Sequence, residues 1–357
     1  MPPKPTAANR HPPTSSEVAR RAGVSRTTVS FVLNDVRDQG ISEATRAKVL
    51  ATARDMGYEP HAAARTLARG SSGTVALVIP KAAHLYVDAF LGQLVASINE
   101  ECHRLGLKLL IESTEDEGRE AGGFVNLVRS RSIDGLVVVN LRTSEHEHVQ
   151  RISDAGIPIV VFGVGPTDLP PSCTLGTDNT HGAHTAVSHL LGLGHQRIGY
   201  LSFAPAEFHS VHQRELGWRR ALADHGIAPG ADWVEYADIS AQSGYEAMRR
   251  LLGRGARLTA LFAGNDTVAF GALKALNEAG LRVPHDVALV GYDDVPLAAF
   301  ASPPLTTMSS DPIGHGRDAM RLLLAQMDGR GAGATAHEER PILLVVRDSC
   351  GANRPAP

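Results

Sequence analysis

Residues 14–67 constrain the chain most tightly, because local signals there fix the order of three short helices. Thr14 followed by Glu17 is a T-x-x-E capping box, which predicts a helix from Ser15. Val18 and Ala22 lie four apart on one face, while Arg20 and Arg21 point elsewhere. Gly23 ends this helix, because glycine tolerates the left-handed dihedrals of a helix terminus. Ser25 caps a second helix whose apolar stripe is Val29, Val32 and Leu33. Ser42 starts a third helix through Met56, with Val49, Leu50, Ala53 and Met56 available to pack on the first two. Two short helices joined by a glycine-containing turn make a helix-turn-helix.

In such a unit the N-terminal end of the second helix enters the major groove of duplex DNA. Here that end carries Arg26, Thr27 and Thr28. Arg26 suits a guanine edge, and either threonine suits a base edge or a thymine methyl. Ser15, Ser16, Ser25 and the amides at the helix starts suit phosphates. Charge sorts the same way. Residues 1–70 hold 11 Lys+Arg against 6 Asp+Glu, net +5, and the remainder is net −8. The overall −3 therefore hides a basic head on an acidic body, which disfavours the alternative of a three-helix bundle that docks a protein.

Taken together, these residues resemble the LacI/GalR bacterial transcription regulators. The matching motifs are A-G-V-S-x-x-T-V-S-x-V-L-N at Ala22–Asn34, S-x-x-T-R-x-x-V at Ser42–Val49, G-Y-x-P at Gly57–Pro60 and A-R-T-L at Ala64–Leu67. The resemblance implies a hinge helix at Pro60–Ala68 that folds only on operator DNA, with Leu67 wedged into the central base step from the minor groove. The sequence alone says that this segment is short, Ala-rich and followed by Gly70-Ser71-Ser72-Gly73. A helix that short is marginal in water, which fits folding on contact. Two positions depart from the family pattern. Phe31 stands where an arginine is usual, and either meets a thymine methyl or packs within the head. His61 replaces the asparagine usual at the start of the hinge helix.

The remaining residues, about 280, alternate short apolar runs with helical patterns. The expected strands are Val75–Ile79, Leu107–Ile111, Gly135–Val139, Pro158–Phe162, Arg197–Ser202, Leu258–Ala263 and Val287–Val290. Helices are expected over Phe90–Leu105, His181–Leu193, Glu215–His225, Gly244–Leu252 and Val268–Ala279. This alternation predicts an α/β fold with parallel sheets, and the length favours two lobes over one large sheet. The rhythm breaks at residues 163–166 and 291–296, where the lobe crossings are placed, with residues 310–328 returning to the first lobe. The domain reading is a disordered tail 1–13, a DNA-binding head 14–59, a hinge and linker 60–73, a two-lobed periplasmic-binding-protein-like effector and dimerisation domain 74–347, and a C-terminal tail 348–357.

The family resemblance extends over this domain through L-G-H-Q-R-I-G-Y at Leu193–Tyr200, R-E-L-G-W at Arg214–Trp218 and F-A-G-N-D at Phe262–Asp266. It continues through Gly280–Asp294 and S-P-P-L-T-T at Ser302–Thr307. It implies that Arg214 and Asp293 reach effector hydroxyls, with Asn265 and Asn140 as further pocket positions. Each has a plainer reading: Arg214 as a surface helix charge, Asp293 as a turn former, Asn265 as a helix cap. Tyr86, Phe203, Phe208, Trp218 and Tyr292 offer stacking faces, Trp218 equally as core. The Asp-Arg pair that relatives carry after the strand ending at Phe162 is replaced by Gly163-Val164-Gly165. A carbohydrate or sugar phosphate is the effector class implied.

Other chemistry finds little support. His181 and His184 share a helix face without a carboxylate at metal-ligand spacing, so no metal site is expected. No dinucleotide glycine spacing, G-x-S-x-G or phosphate loop occurs, so no cofactor and no catalysis are expected. Three widely spaced cysteines fit a reducing cytoplasm. The Pro-rich residues 1–13 lack the apolar core of a signal peptide, and no run approaches a membrane span. Only ten residues follow Arg347, with no heptad repeat, so a homodimer without an added tetramerisation helix is expected. The expectation is a cytoplasmic allosteric transcription regulator, a repressor, that binds a pseudo-palindromic operator under control of a small effector. The alternatives are a sugar-binding protein or an enzyme that carries a DNA-binding head.

Overall fold

The computed structural model describes residues 13–37, 39–59, 71–114, 125–130, 132–140, 142, 145–163, 173–329 and 340–352. The chain divides into two compact units between Gly73 and Thr74. The expected hinge helix, with His61 and Leu67, lies outside the described residues.

The head consists of α1 (Ser15–Ala22), α2 (Arg26–Leu33) and α3 (Glu43–Met56). Each starts where a side chain satisfies an otherwise unpaired helix amide. The Thr14 hydroxyl accepts from the Glu17 amide while the Glu17 carboxylate accepts from the Thr14 amide, at 3.3 and 2.7 Å. Ser25 caps α2 through the Thr28 amide at 3.0 Å, and Ser42 caps α3 through the Thr45 amide at 3.2 Å. Gly23 adopts φ 68°, as its place after α1 requires. Val18, Ala22, Val29, Val32, Val49 and Ala53 close one small core. Leu50 does not join it and is 42% exposed, because the stripe of α3 runs through Val49, Ala53 and Met56. Arg46, on the same helix, is buried instead and donates to the Val36 carbonyl at 2.7 Å, which ties α3 to the end of α2.

The second unit is two α/β lobes. The first sheet, in order β2-β1-β3-β4-β5, is wholly parallel: β1 (Thr74–Ile79), β2 (Lys108–Ser113), β3 (Gly135–Val139), β4 (Ile159–Phe162) and β5 (Thr174–Leu175). Helices α4 (His84–Val87), α5 (Ala89–Arg104), α6 (Val125–Arg129) and α7 (His146–Asp154) intervene. The second sheet runs β11-β10-β9-β8-β6-β7, from β6 (Ile198–Ser202), β7 (Val234–Tyr236), β8 (Ala260–Ala263), β9 (Ala288–Asp293), β10 (Thr306–Ser309) and β11 (Leu343–Val345). Only β11 pairs antiparallel. Its helices are α8 (Asn179–Gly192), α9 (His209–Asp224), α10 (Ala241–Gly253) and α11 (Asp266–Glu278).

Alternation along each strand feeds two cores, as the two-residue period of a strand demands when both faces are covered. In β1, Val75, Leu77 and Ile79 face one cluster while Ala76 and Val78 face another. In β8, Leu261 and Ala263 face one, Ala260 and Phe262 the other. Helices α8 and α9 lie close because Gly217 leaves room: a Cβ there would stand 2.3 Å from the Thr180 carbonyl oxygen.

The sequence misplaces two lobe crossings. After residue 163 the chain first adds β5 to the first sheet, and it crosses at residues 176–178. At residues 291–296 it does not cross, since β9 runs on to Asp293 and β10 follows in the same sheet; the passage comes at residues 310–311. The expected return to the first lobe is α12 (Pro312–Met327), whose Ala319, Met320, Leu322 and Leu323 pack in the cluster of β1 and α5. Residues 348–350, expected as the start of a tail, form a 3-10 turn with Ser349 and Cys350 buried in the second lobe. Ser349 there donates to the Leu289 carbonyl at 2.7 Å and accepts from the Thr306 amide at 2.8 Å.

Candidate functional site

The head presents the start of α2 as its polar face. Ser16, Ser25, Arg26 and Thr27 are exposed, and Ser15 and Thr28 are half-buried. Arg26 Nε donates to Ser15 Oγ at 3.0 Å, so α1 holds the guanidinium beside the N-terminus of α2. Phe31 is half-buried and stands outside the head's core cluster.

In the second unit the strand ends converge on a cleft between the lobes, where parallel α/β sheets place their ligand sites. Asp88, Phe90, Asn140, Phe162 and Gly163 line it from the first lobe. The second lobe contributes Asn179, Phe203, Ser210, Arg214, Asn265 and Asp293, and the crossings add Thr177 and Ser310. The cavity within it measures about 30 Å³.

Arg214, on the buried side of α9, is the centre of the polar wall. Its Nε donates to Asn179 Oδ1 at 2.9 Å, its Nη1 to the Gly264 carbonyl, and its Nη2 stands 3.5 Å from Asp293 Oδ1. The guanidinium also packs over the rings of Tyr292 at 3.7 Å and Phe203 at 4.6 Å. Asp293 ends β9 at φ 108°, a strained conformation for a non-glycine residue, and Ser310 Oγ donates to its carboxylate at 3.2 Å. Its neighbour Asp294 turns away to Arg347 at 2.7 Å. Burial lifts the Asp293 carboxyl to about 7, with Arg214 pulling the other way. Asp88, the N-cap of α5, accepts from the Phe90 amide at 3.1 Å, and burial lifts it to about 6.

Asn140 follows β3 at φ 52°, a left-handed conformation that asparagine accepts more readily than most residues. Gly163 stands opposite at φ 81°: a Cβ there would come 3.1 Å from Asn140 Oδ1, so a carboxylate residue would crowd the Asn140 amide from a left-handed backbone. Asn265 fills both roles offered for it. It lines the cleft and its Oδ1 caps α11 through the Val268 amide at 2.8 Å, which leaves the side-chain amide to donate. Beneath it, fully buried Asp266 accepts from Thr307 Oγ1 at 2.6 Å and the Val295 amide at 2.9 Å; burial and Asp293 raise its pKa well above the usual range. Ser210 is buried on the cleft wall with no hydrogen-bond partner for its hydroxyl among the described residues.

Asn140, Phe203, Arg214, Asn265 and Asp293 are thus brought together as the sequence predicts. Tyr86 is not. The short helix α4 buries His84 and turns Tyr86 outward, 82% exposed and off the cleft wall. Tyr292 stands behind Arg214, since strand alternation sends it into the core of β6, β8 and α8. Phe208 is buried under Arg142 at 5.6 Å, and Trp218 is core, donating from Nε1 to the Ile198 carbonyl at 3.0 Å. The sequence reading misses Asp88, Thr177, Asn179, Ser210 and Ser310, single polar residues at helix starts and crossings. Of the histidines, His184 pairs with Asp224 at 2.8 Å.

A helix-turn-helix head in one chain with two parallel-sheet lobes around a polar cleft defines the periplasmic-binding-protein-like class of bacterial regulators. The model of bacterial regulatory proteins, lacI family, matches residues 14–61, and that of the periplasmic binding protein-like domain matches residues 187–350. The HTH-type transcriptional repressor PurR of Mannheimia succiniciproducens is 32% identical over 335 residues, 93% of this chain and 97% of the relative. That of Haemophilus influenzae is 30% identical over 341 residues, 94% and 98%. Among solved structures, the lac repressor dimer bound to operator and the anti-inducer ONPF has a TM-score of 0.79 at 30% identity, covering 95% of this chain and 99% of that one. The transcriptional regulator CelR–cellobiose complex has 0.68 at 31% identity, covering 94% and 99%. The chain belongs to the LacI family of bacterial regulatory proteins.

Proposed function

We propose that this protein is a transcriptional repressor that acts as a homodimer on a pseudo-palindromic operator, with affinity set by a carbohydrate effector in the interlobe cleft. The observation that carries the reading is the Arg214–Asp293 pair, buried at the cleft in the same chain as a capped helix-turn-helix. The Asp293 carboxylate, the Asn265 amide and the Ser210 hydroxyl on the same wall offer acceptors and donors suited to the hydroxyls of a polyol. Arg26 and Thr27 read base edges, Thr28 and Phe31 support them, and Ser15, Ser16 and Ser25 hold phosphates. Residues 14–59 form the DNA-binding domain, 60–73 the hinge with His61 and Leu67, and 74–347 the effector-binding and dimerisation domain. On this reading the protein works in the cytoplasm as a regulator rather than an enzyme.

Linkage makes the control reciprocal: an inducer lowers operator affinity by the factor by which operator lowers inducer affinity. The test is operator selection from random duplexes with the full chain, followed by binding across 50–200 mM salt, about 10³–10⁵-fold weaker at the upper end for 6–10 phosphate contacts. Arg26→Ala costs about 1–3 kcal/mol on the selected site and relaxes one base position. Selection that returns no palindrome, or a site indifferent to Arg26→Ala, overturns the interface. Operator affinity that no sugar changes, in wild type as in Arg214→Ala, overturns the effector site.

A further inference from the structure

The cleft is uneven in charge. Among the described residues that line it, Arg214 is the one cation and Asp88 and Asp293 are both acids. Arg214 is already directed at protein oxygens from Asn179, Gly264 and Asp293. Two further cations that join the lobes are engaged as well: Lys81 with Asp238 at 3.1 Å and Arg142 with Glu207 at 3.1 Å.

We propose that this cleft takes an uncharged or amine-bearing polyhydroxylated effector and rejects phosphorylated and carboxylated ones, because Asp88 and Asp293 face it from opposite lobes and Arg214 is spent on protein oxygens. The inference rests on the reading of the cleft as the effector site. An anion brought there loses its hydration beside two carboxyls and, among the described lining residues, gains no uncommitted cation, a desolvation cost without a Coulombic return. Hydroxyl and ammonium groups meet the opposite situation. Each carboxylate offers about four acceptor positions, of which backbone amides and Ser310 take a part. The Ser210 hydroxyl, without a protein partner among the described residues, adds a donor or acceptor on the same wall. Burial raises both carboxyls, so a donor-rich ligand also restores their ionised form.

The test uses the full chain with inorganic phosphate, glucose 6-phosphate and glucose as probes, read by calorimetric titration at pH 7.5. Wild type is expected to show no anion binding at millimolar concentration. Asp88→Asn/Asp293→Asn is expected to gain it by at least tenfold, and to lose it again when Arg214→Ala is added. Wild type that binds glucose 6-phosphate more tightly than glucose, with the difference abolished by Arg214→Ala, overturns the proposal. A folded double variant that stays indifferent to both anions overturns it too, since the carboxyls are then not what excludes them. Should the double variant lose its fold, Asp88→Asn alone carries the same test with a smaller gain, because Asp293 keeps its pair. Failure of the effector reading registers separately, as operator affinity that no unphosphorylated sugar alters.

Discussion

Arg214→Ala removes the cation from a buried pair and leaves Asp293 among Asp88 and Asp266. Deleting one partner of such a pair costs about 3–5 kcal/mol when the other charge stays ionised. Asp293 has an alternative, since its carboxyl already sits at about 7 and Arg214 is what holds it down. Without Arg214 it rises further and stays protonated through pH 8. A folded-state pKa above the unfolded one means that the native state binds the extra proton. The stability so gained is full at acid pH and is lost as pH rises through the folded value. For a folded value near 7, wild type loses about 1.4 kcal/mol from this group between pH 6 and pH 8, and the variant loses up to about 2.7. The penalty of the substitution therefore grows by about 1.3 kcal/mol over that interval. Urea unfolding at both pH values measures it, with Trp218 and Trp233 fluorescence as the probe of the second lobe. In an Asp293→Asn background the growth should shrink to the part carried by Asp88, which Arg214 also holds down. A penalty that is flat or shrinks toward pH 8 in the native background would refute the reasoning.

Three further substitutions probe other parts of the molecule. Gly217→Ala places a methyl 2.3 Å from the Thr180 carbonyl oxygen and 2.7 Å from Ala183 Cβ, so the α8–α9 contact must part. The loss is about 1–3 kcal/mol, read as a lower Tm, and an unchanged Tm would show that the two helices adjust freely. Thr14→Ala removes half of the α1 capping box and lowers head stability by about 1 kcal/mol, measured by thermal melting of the full chain. Glu207→Gln breaks the ion pair to Arg142 at the cleft mouth, which is half-exposed on the acid side, so stability falls by no more than about 1 kcal/mol. Its larger effect is expected on ligand association, faster in stopped-flow because the mouth opens more often; an unchanged rate would remove this pair from closure.

Much of this architecture is legible where the signal is local. Thr14, Ser25 and Ser42 each name a helix start because a cap needs only residues three positions on. Strand β10 is not legible in that way. It reads Thr-Thr-Met-Ser yet its first three residues are buried, because Thr307 donates to Asp266 and Thr306 serves the Arg347 amide at 2.8 Å. Its partners come from other parts of the chain, so no period reveals it. The crossings were misplaced for a related reason. Glycines at 163 and 291 look like breaks, but β5 is two residues long and β9 carries Gly291 within it. At the cleft, Arg214, Asp293, Asn265 and Asn140 were found through family motifs. Asp88 carries no such mark: in sequence it is one acid before a helix, and only the fold turns it toward Arg214.

The two sites make different demands on their side chains. The start of α2 is set by contacts within the head, Ser25 to Thr28 and Arg26 to Ser15, and needs no rearrangement to present its polar edge. The cleft is held almost shut. Its 30 Å³ has room for one or two waters, far less than a monosaccharide fills. Lys81–Asp238, Arg142–Glu207, the bridge between Arg142 and Phe208 and the packing of Val87 on the second-lobe core all span it. On the proposed reading, entry of a sugar requires the lobes to separate, and closure is then remade around different contacts. A ligand shifts an equilibrium only by its difference in affinity for the two arrangements, however tightly it binds either. On the proposed reading of the cleft, the groups that register that difference are Asp88 on one lobe and Arg214 and Asp293 on the other. Substitutions at the mouth should therefore alter how often the lobes part, whereas substitutions at Arg214 or Asp293 alter both the closure and what it grips.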